Sequence, residues 1–466
     1  MQTDKSNHRR DSSNIPSRYD HSNERLRRSQ TERESCARTY PRSLPFAVER
    51  ARGIELIDAD GERYIDCLAG AGTLVLGHNH PKVIREVERL LAEDRPLHTL
   101  DITTPEKEAF VDALFDSLPD EFTDTAKVQF CSPAGTDAVE AALKLVKTAT
   151  GNRSVLGFQG GYHGMTAGAL SLMGDTGAKE PVHGLPSNVH HLPYPDLYRH
   201  PFGLDDGDHE PVSQFVERVV TDPASGVTDP AGTIVELVQG EGGVNPAPDE
   251  WVRELRRITS EHDVPLIVDE IQTGMGRTGE TWAFEHADII PDVLTCSKAI
   301  GGGLPLAVVV YDESLDEWEP GAHAGTFRGH QLAMAAGRVT IEHVLENDLD
   351  KHAAEVGTRL RSHLHELTSE FDVVGDVRGR GLMLGVEFVE PNAPDDERPQ
   401  PDGNLASAVQ AACFERRLVI ETGGRDSAVA RFLPPLTISH DQVDEVGTRF
   451  REAVEAAVTD RSGGAT

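Results

Sequence analysis

At 466 residues the chain is too long for one ordinary compact domain and suits two or three. Hydrophobic residues make up 38%, but no apolar run approaches the 18 or so residues of a transmembrane helix, so no membrane span is expected. Lys and Arg number 45 against 78 Asp and Glu, a formal net charge of −33, and such a surface repels nucleic acid and anionic membranes alike.

In chain order, residues 1–35 carry eight basic and six acidic side chains and almost nothing apolar, which predicts a disordered tail and not a secretory signal. Gly53–Asp66 reads as a hairpin within an N-terminal segment, 36–84, of a smaller domain. Between 85 and 345 the pattern is that of a large α/β domain. Lys127–Cys131 reads as a strand, Ser132–Gly135 turns the chain, and Ala138, Ala141, Ala142 and Leu145 then recur at helical spacing. Short apolar strands follow at Ser154–Gly157, Thr233–Val238, Pro265–Val268 and Leu306–Tyr311, with helical segments such as Glu250–His262 between several of them. Continuous apolar strands alternating with helices predict a mainly parallel sheet covered on both faces. A long helix begins near Gln331; after it, 346–460 reads as a smaller α+β domain. That domain has a helix over Ala353–Phe371, strands at Val373–Val377 and Leu382–Phe388, a Pro- and Asp-rich loop at Glu390–Gly403 and a strand through Leu418–Glu421. The five cysteines form no C-x-x-C pair, so neither a disulfide framework nor a zinc site is expected, and a reducing cytoplasm is the simplest setting. The acidity fits either an ordinary acidic cytosolic chain or one adapted to a high-salt cytoplasm, where salt screens the repulsion among carboxylates.

The chemistry concentrates in two places. Ile267-Val268-Asp269-Glu270 is a strand that delivers an acid at its C-terminal end into a Gly-punctuated loop running to Gly279. In open parallel sheets that end is where ligands bind. Lys298 follows 29 residues later, directly before Gly301-Gly302-Gly303, where the backbone can approach a bulky ligand. A lysine amine, a strand-end carboxylate and a backbone phosphate cradle are the parts that pyridoxal 5′-phosphate (PLP) chemistry needs. The amine forms an imine with the aldehyde, and the carboxylate keeps the ring nitrogen protonated. The cradle lies best at a helix N-terminus, where Gly135 and Thr136 stand. Tyr162, in Gly160-Gly161-Tyr162-His163-Gly164, is the candidate ring to cover the cofactor.

With these motifs the sequence resembles the class III (fold type I) PLP-dependent aminotransferases from about Glu34 to Arg451. It also shares Glu236–Gly243, Gly325-Thr326-Phe327-Arg328-Gly329 and Gly379–Met383 with them. More narrowly it resembles the group acting on L-2,4-diaminobutyrate and 2-oxoglutarate, through Glu34–Arg42, Cys67–Thr73, Gly77–Pro81 and Gly325–Ala336.

The resemblance implies a homodimer with shared active sites, in which Lys298 carries the cofactor and moves the proton while Asp269 pairs with the ring nitrogen. It implies Gln272 beside the phenolic oxygen, Gly135 and Thr136 on the phosphate, Thr326 reaching the phosphate from the other subunit, and Tyr162 stacked on the ring. Arg431 would bind an α-carboxylate, and Glu241 would mask that arginine while a terminal amine reacts. Transamination of 4-aminobutyrate, ornithine or acetylornithine, an aminomutase reaction, and a non-catalytic PLP-binding protein are the alternatives. Departures from the pattern are Met165 where an arginine often holds a distal carboxylate, Ala71 where ornithine enzymes have a nearby tyrosine, His330 for asparagine and Leu237 for proline.

Overall fold

The computed structural model describes residues 22–204, 208–391 and 398–463. Its centre is a seven-stranded sheet. In spatial order the strands are Ala126–Phe130, Val308–Asp312, Val293–Cys296, Leu266–Asp269, Pro230–Val235, Ser154–Phe158 and Val189–Leu192. All run parallel except Val308–Asp312, which is antiparallel to both neighbours. The sequence reading of a mainly parallel sheet therefore holds, with the reversed strand lying inside it. Side chains alternate across it: Ile267, Val293 and Val309 pack with the helix Gly135–Thr150 on one face. Leu266, Val268, Leu294 and Val308 enter the main core on the other.

Because five of these strands point the same way as Ala126–Phe130, the loops that leave their C-terminal ends gather along one edge. These strand ends and the segments that leave them carry Gly135, Tyr162, Glu236, Asp269 and Lys298.

Besides a two-stranded pairing of Val238–Gln239 with Asn245–Pro246, two four-stranded sheets lie outside the central one. Val48–Arg52, Glu55–Asp58 and Arg63–Asp66 form an antiparallel meander that is joined in parallel by Leu418–Val419. The Gly53–Asp66 hairpin expected from sequence is thus part of a longer unit that begins at Val48. Val374–Arg380, Met383–Phe388, Val429–Phe432 and Glu421–Gly423 form the other sheet. The single strand expected at Leu418–Glu421 is in fact divided: the chain changes sheets at Ile420, a switch that no local pattern encodes.

The disordered tail expected over 1–35 is corrected from residue 23 onward, where Asn23–Arg33 is a helix; residues 1–21 lie outside the described residues. Its Glu, Arg and Gln side chains favour helix as strongly as they favour water, so composition alone does not separate the two states. Asn23 anchors it, donating from Nδ2 to Asp58 at 2.8 Å and accepting from the Ala47 N–H at 2.9 Å. Of the Pro- and Asp-rich loop, residues 392–397 likewise lie outside the described residues. Among the described residues no helix is long and apolar enough to cross a membrane.

Candidate active site

Lys298 opens a short 3₁₀ turn immediately after the strand Val293–Cys296, with φ of 48°. A left-handed backbone is unfavourable for a non-glycine residue and is kept where surrounding structure imposes it, commonly at functional sites. Burial lowers the Lys298 pKa and Arg431 lowers it further, while Glu241, Asp269 and Glu236 act against that shift.

Asp269 ends the neighbouring strand and is 4% exposed. One carboxylate oxygen accepts from the Thr295 hydroxyl at 3.0 Å and the Ile271 N–H at 3.1 Å. The other lies 2.7 Å from His163 Nδ1. Burial alone would depress the His163 imidazole, but its hydrogen bond to Asp269 and the Asp269 and Glu236 charges raise it above its ordinary value. Glu236 is also buried, and its oxygens accept from the Tyr162 N–H at 2.7 Å and the Gly240 N–H at 3.1 Å. Desolvation pushes its carboxyl up to about 7, with Asp269 adding to the rise and His163 opposing it. Sequence reading assigned neither residue a role, although both stand inside quoted motifs.

Lys298, Asp269, Gln272, Tyr162, Gly135, Thr136 and Glu241 line one cavity of about 290 Å³, together with His163, Glu236 and Met165. Its size is that of a small-molecule site. Gln272 is held by its amide, which donates to the Ala71 carbonyl at 3.1 Å, and its Oε1 lies 3.4 Å from Arg431 Nη2. The Ala71 loop thus contributes backbone where ornithine enzymes have a nearby tyrosine. Thr136 Oγ1 lies 2.7 Å from Thr166 Oγ1, and Met165 is 57% exposed at the mouth.

Arg431 lies on the strand Val429–Phe432 with its side chain fully buried, paired with Glu241 at 2.7 Å. Burial would raise the Glu241 pKa, but Arg431 outweighs it and holds the carboxyl below its ordinary value. Thr326 does not join the cavity: it is exposed, and its carbonyl accepts from His98 Nε2 at 2.8 Å. Of the remaining departures, the His330 ring caps the helix Gln331–Glu346 by accepting from the Ala333 N–H at 3.3 Å, and Leu237 is buried in the main core.

The chain matches the model of the aminotransferase class-III family over residues 36–454. A diaminobutyrate–2-oxoglutarate aminotransferase from Rhizobium meliloti (strain 1021) is 52% identical over 429 residues, 91% of each chain. One from Haemophilus influenzae is 45% identical over 428 residues, 91% of this chain and 94% of the relative. Among solved structures, an amine transaminase from an uncultivated Pseudomonas species, in PLP-bound form, superposes with a TM-score of 0.81 at 26% identity, covering 91% of this chain and 98% of that one.

The residues present fit that cofactor. The helix Gly135–Thr150 starts after Ala134, whose side chain cannot cap it, so its first N–H groups remain available to an anion. A Cβ on Gly135 would lie 3.0 Å from Ile271, so that approach is kept open by a residue without a side chain. A desolvated lysine and a buried carboxylate stand in the same cavity. The motifs, the sheet edge that gathers them and the match over nearly the whole chain agree: this protein belongs to the class-III aminotransferases, which act with pyridoxal 5′-phosphate.

Proposed function

We propose that the chain moves the terminal amine of L-2,4-diaminobutanoate to 2-oxoglutarate, giving L-aspartate 4-semialdehyde and L-glutamate. The names of the Rhizobium and Haemophilus relatives support this substrate pair. The observation that carries it is the pair between Glu241, which lines the cavity, and the buried Arg431 behind it. A donor that reacts through its far amine presents no carboxylate next to the reacting carbon, so the arginine must be masked. 2-Oxoglutarate does present one, and displaces Glu241 to reach Arg431.

Bound PLP supplies an electron sink that acidifies the proton on the carbon bearing the reacting amine. Lys298 Nζ, neutral more readily because it is desolvated, takes and returns that proton. Asp269, fixed by Thr295, Ile271 and His163, would hold the ring nitrogen through its negative charge. Gly135 and Thr136 would hold the phosphate, Tyr162 would cover the ring and Gln272 would serve its phenolic oxygen.

The working unit in this reading is a cytoplasmic homodimer, with Thr326 serving the partner's phosphate. Supporting it, Leu97, Leu100, Ile102 and Phe327 are 52%, 48%, 62% and 58% exposed, an apolar group beside Thr326 that a second copy would cover. Mixing Lys298→Ala with Thr326→Glu subunits under conditions of proven exchange should restore activity through hybrid dimers with one intact site; no recovery removes the shared site. A donor panel with 2-oxoglutarate, followed by glutamate formation, tests the reaction itself. A preference for 4-aminobutyrate or ornithine over diaminobutanoate overturns the substrate and leaves the family intact.

A further inference from the structure

Behind Glu241, which lines the cavity, stands more acid than the neighbouring arginine requires. Glu241 already neutralises Arg431 at 2.7 Å, yet a second carboxylate, Glu421, lies 3.6 Å from the same Nη1. The sheet fixes this second contact. Glu421 stands directly opposite Arg431 in the antiparallel ladder that follows the change of sheets at Ile420. Two residues on, a Cβ at Gly423 would come within 2.8 Å of Arg431 Cδ and 3.0 Å of Nη1, so the absence of a side chain there leaves the guanidinium its place between the acids. The side chain of Glu421 is 15% exposed, and its Oε2 is buried without a hydrogen-bond partner among the described residues.

Burial raises the Glu421 pKa and Glu241 raises it further, against the opposing pull of Arg431 and Lys298. The Tyr40 hydroxyl lies within reach of Glu421; burial and the two carboxylates push its own pKa up to about 12, so it remains a donor. The local tally is two carboxylates to one guanidinium. Lys298, the other cation in range, is engaged with the cofactor in the working enzyme. Whenever Glu241 masks Arg431, Glu421 is left with a shared guanidinium at the longer distance of 3.6 Å and an Oε2 without a hydrogen bond among the described residues, and a buried acid so weakly paired is unfavourable. A ligand bearing a cation at that point would complete the site.

We propose that Glu421 binds the α-ammonium group of the amino donor and so selects a diamino acid over a monoamine of the same length; this rests on the reading above that a terminal amine reacts. 4-Aminobutanoate has the four-carbon chain, terminal amine and carboxylate of 2,4-diaminobutanoate but lacks the α-amine. It would leave Glu421 buried with nothing beyond Tyr40 and the arginine it shares, and a site built to pair a polar group rejects the analogue lacking it.

The test is single-turnover kinetics of the PLP-loaded enzyme, read by cofactor absorbance, with L-2,4-diaminobutanoate and with 4-aminobutanoate. In Glu421→Gln the preference for the diamino acid should fall on the order of tenfold, the scale of one charged hydrogen bond, and Glu421→Asp should recover part of it. The KM for 2-oxoglutarate, an anion, should not rise. A preference unchanged in Glu421→Gln overturns the proposal, as does equal damage to both donors and to 2-oxoglutarate. Wild-type enzyme that uses neither donor overturns the reaction assigned above and this inference with it. Wild-type enzyme that prefers the diamino acid, with the preference intact in Glu421→Gln, overturns the inference alone.

Discussion

The floor and the wall of the cavity hold charge in opposite ways. At the floor, both oxygens of Asp269 are engaged by donors on rigid elements, and its side chain and that of His163 are 4% and 1% exposed. At the wall, Arg431 stands between Glu241 and Glu421, its Nε has no hydrogen-bond partner among the described residues, and Glu241 is 35% exposed. A carboxylate held by three donors keeps one place and one charge, with one acceptor position left over. A region with surplus acid and a half-buried gate can exchange one carboxylate partner of the arginine for another. The contrast suits the two tasks proposed above, one fixed hold on the ring and alternation between two unlike substrates.

The largest effect should come from the floor. Lys298→Ala should lower turnover on the order of a thousandfold or more, since it removes the positioned base. Borohydride reduction of the wild-type enzyme should leave the pyridoxyl label on residue 298, and a label on any other lysine breaks the floor as described.

Asp269→Asn keeps the shape and removes the charge, with an expected loss on the order of a hundredfold in rate. It also probes His163. A raised imidazole pKa contributes stability that is present below the ordinary imidazole value and lost as pH rises through the raised one. Melting temperature against pH should show that loss in the wild type and not in the variant. A near-normal rate would mean that another group serves the ring nitrogen.

A selective effect is expected at the wall. Arg431→Ala should slow the 2-oxoglutarate half-reaction about ten- to a hundredfold while sparing the diaminobutanoate half-reaction, as suits the loss of charged hydrogen bonds to a carboxylate. Equal damage in single-turnover spectra of the two halves would erase the distinction between fixed floor and exchanging wall.

The smallest effect extends the comparison to the outer surface. At −33 the chain repels itself, and molar salt screens beyond about 3 Å. Melting temperature should rise by a few degrees from dilute buffer to molar KCl, while the Asp269–His163 pair, out of reach of ions, keeps its pH response. A flat or falling melting temperature removes the high-salt reading of the acidity.

The floor was legible in the sequence because its parts are local: Asp269 closes an apolar strand, Lys298 precedes three glycines, and Gly135-Thr136 opens a helix with clear periodicity. Sequence reading also singled out Glu241 and Arg431, but only through resemblance, since nothing near either residue tells of the other. Glu421 and Tyr40 were missed. Glu421-Thr422-Gly423-Gly424 reads as a strand end and turn, and its one signal was a glycine pair beside an acid directly after the apolar Leu418–Ile420.

The sequence by itself determined the α/β class, the parallel character of the large sheet and the strand-end chemistry, because hydrophobic period and strand-end residues are properties of short segments. Tertiary structure alone decided what stands across the cavity. Tyr40, Glu241, Glu421 and Arg431 meet only when the first sheet accepts Leu418–Val419 and the chain then crosses at Ile420 to pair Glu421 with Arg431. Such pairings depend on which distant strands find each other in three dimensions, and a one-residue shift of register would carry Glu421 to the other face and away from the arginine.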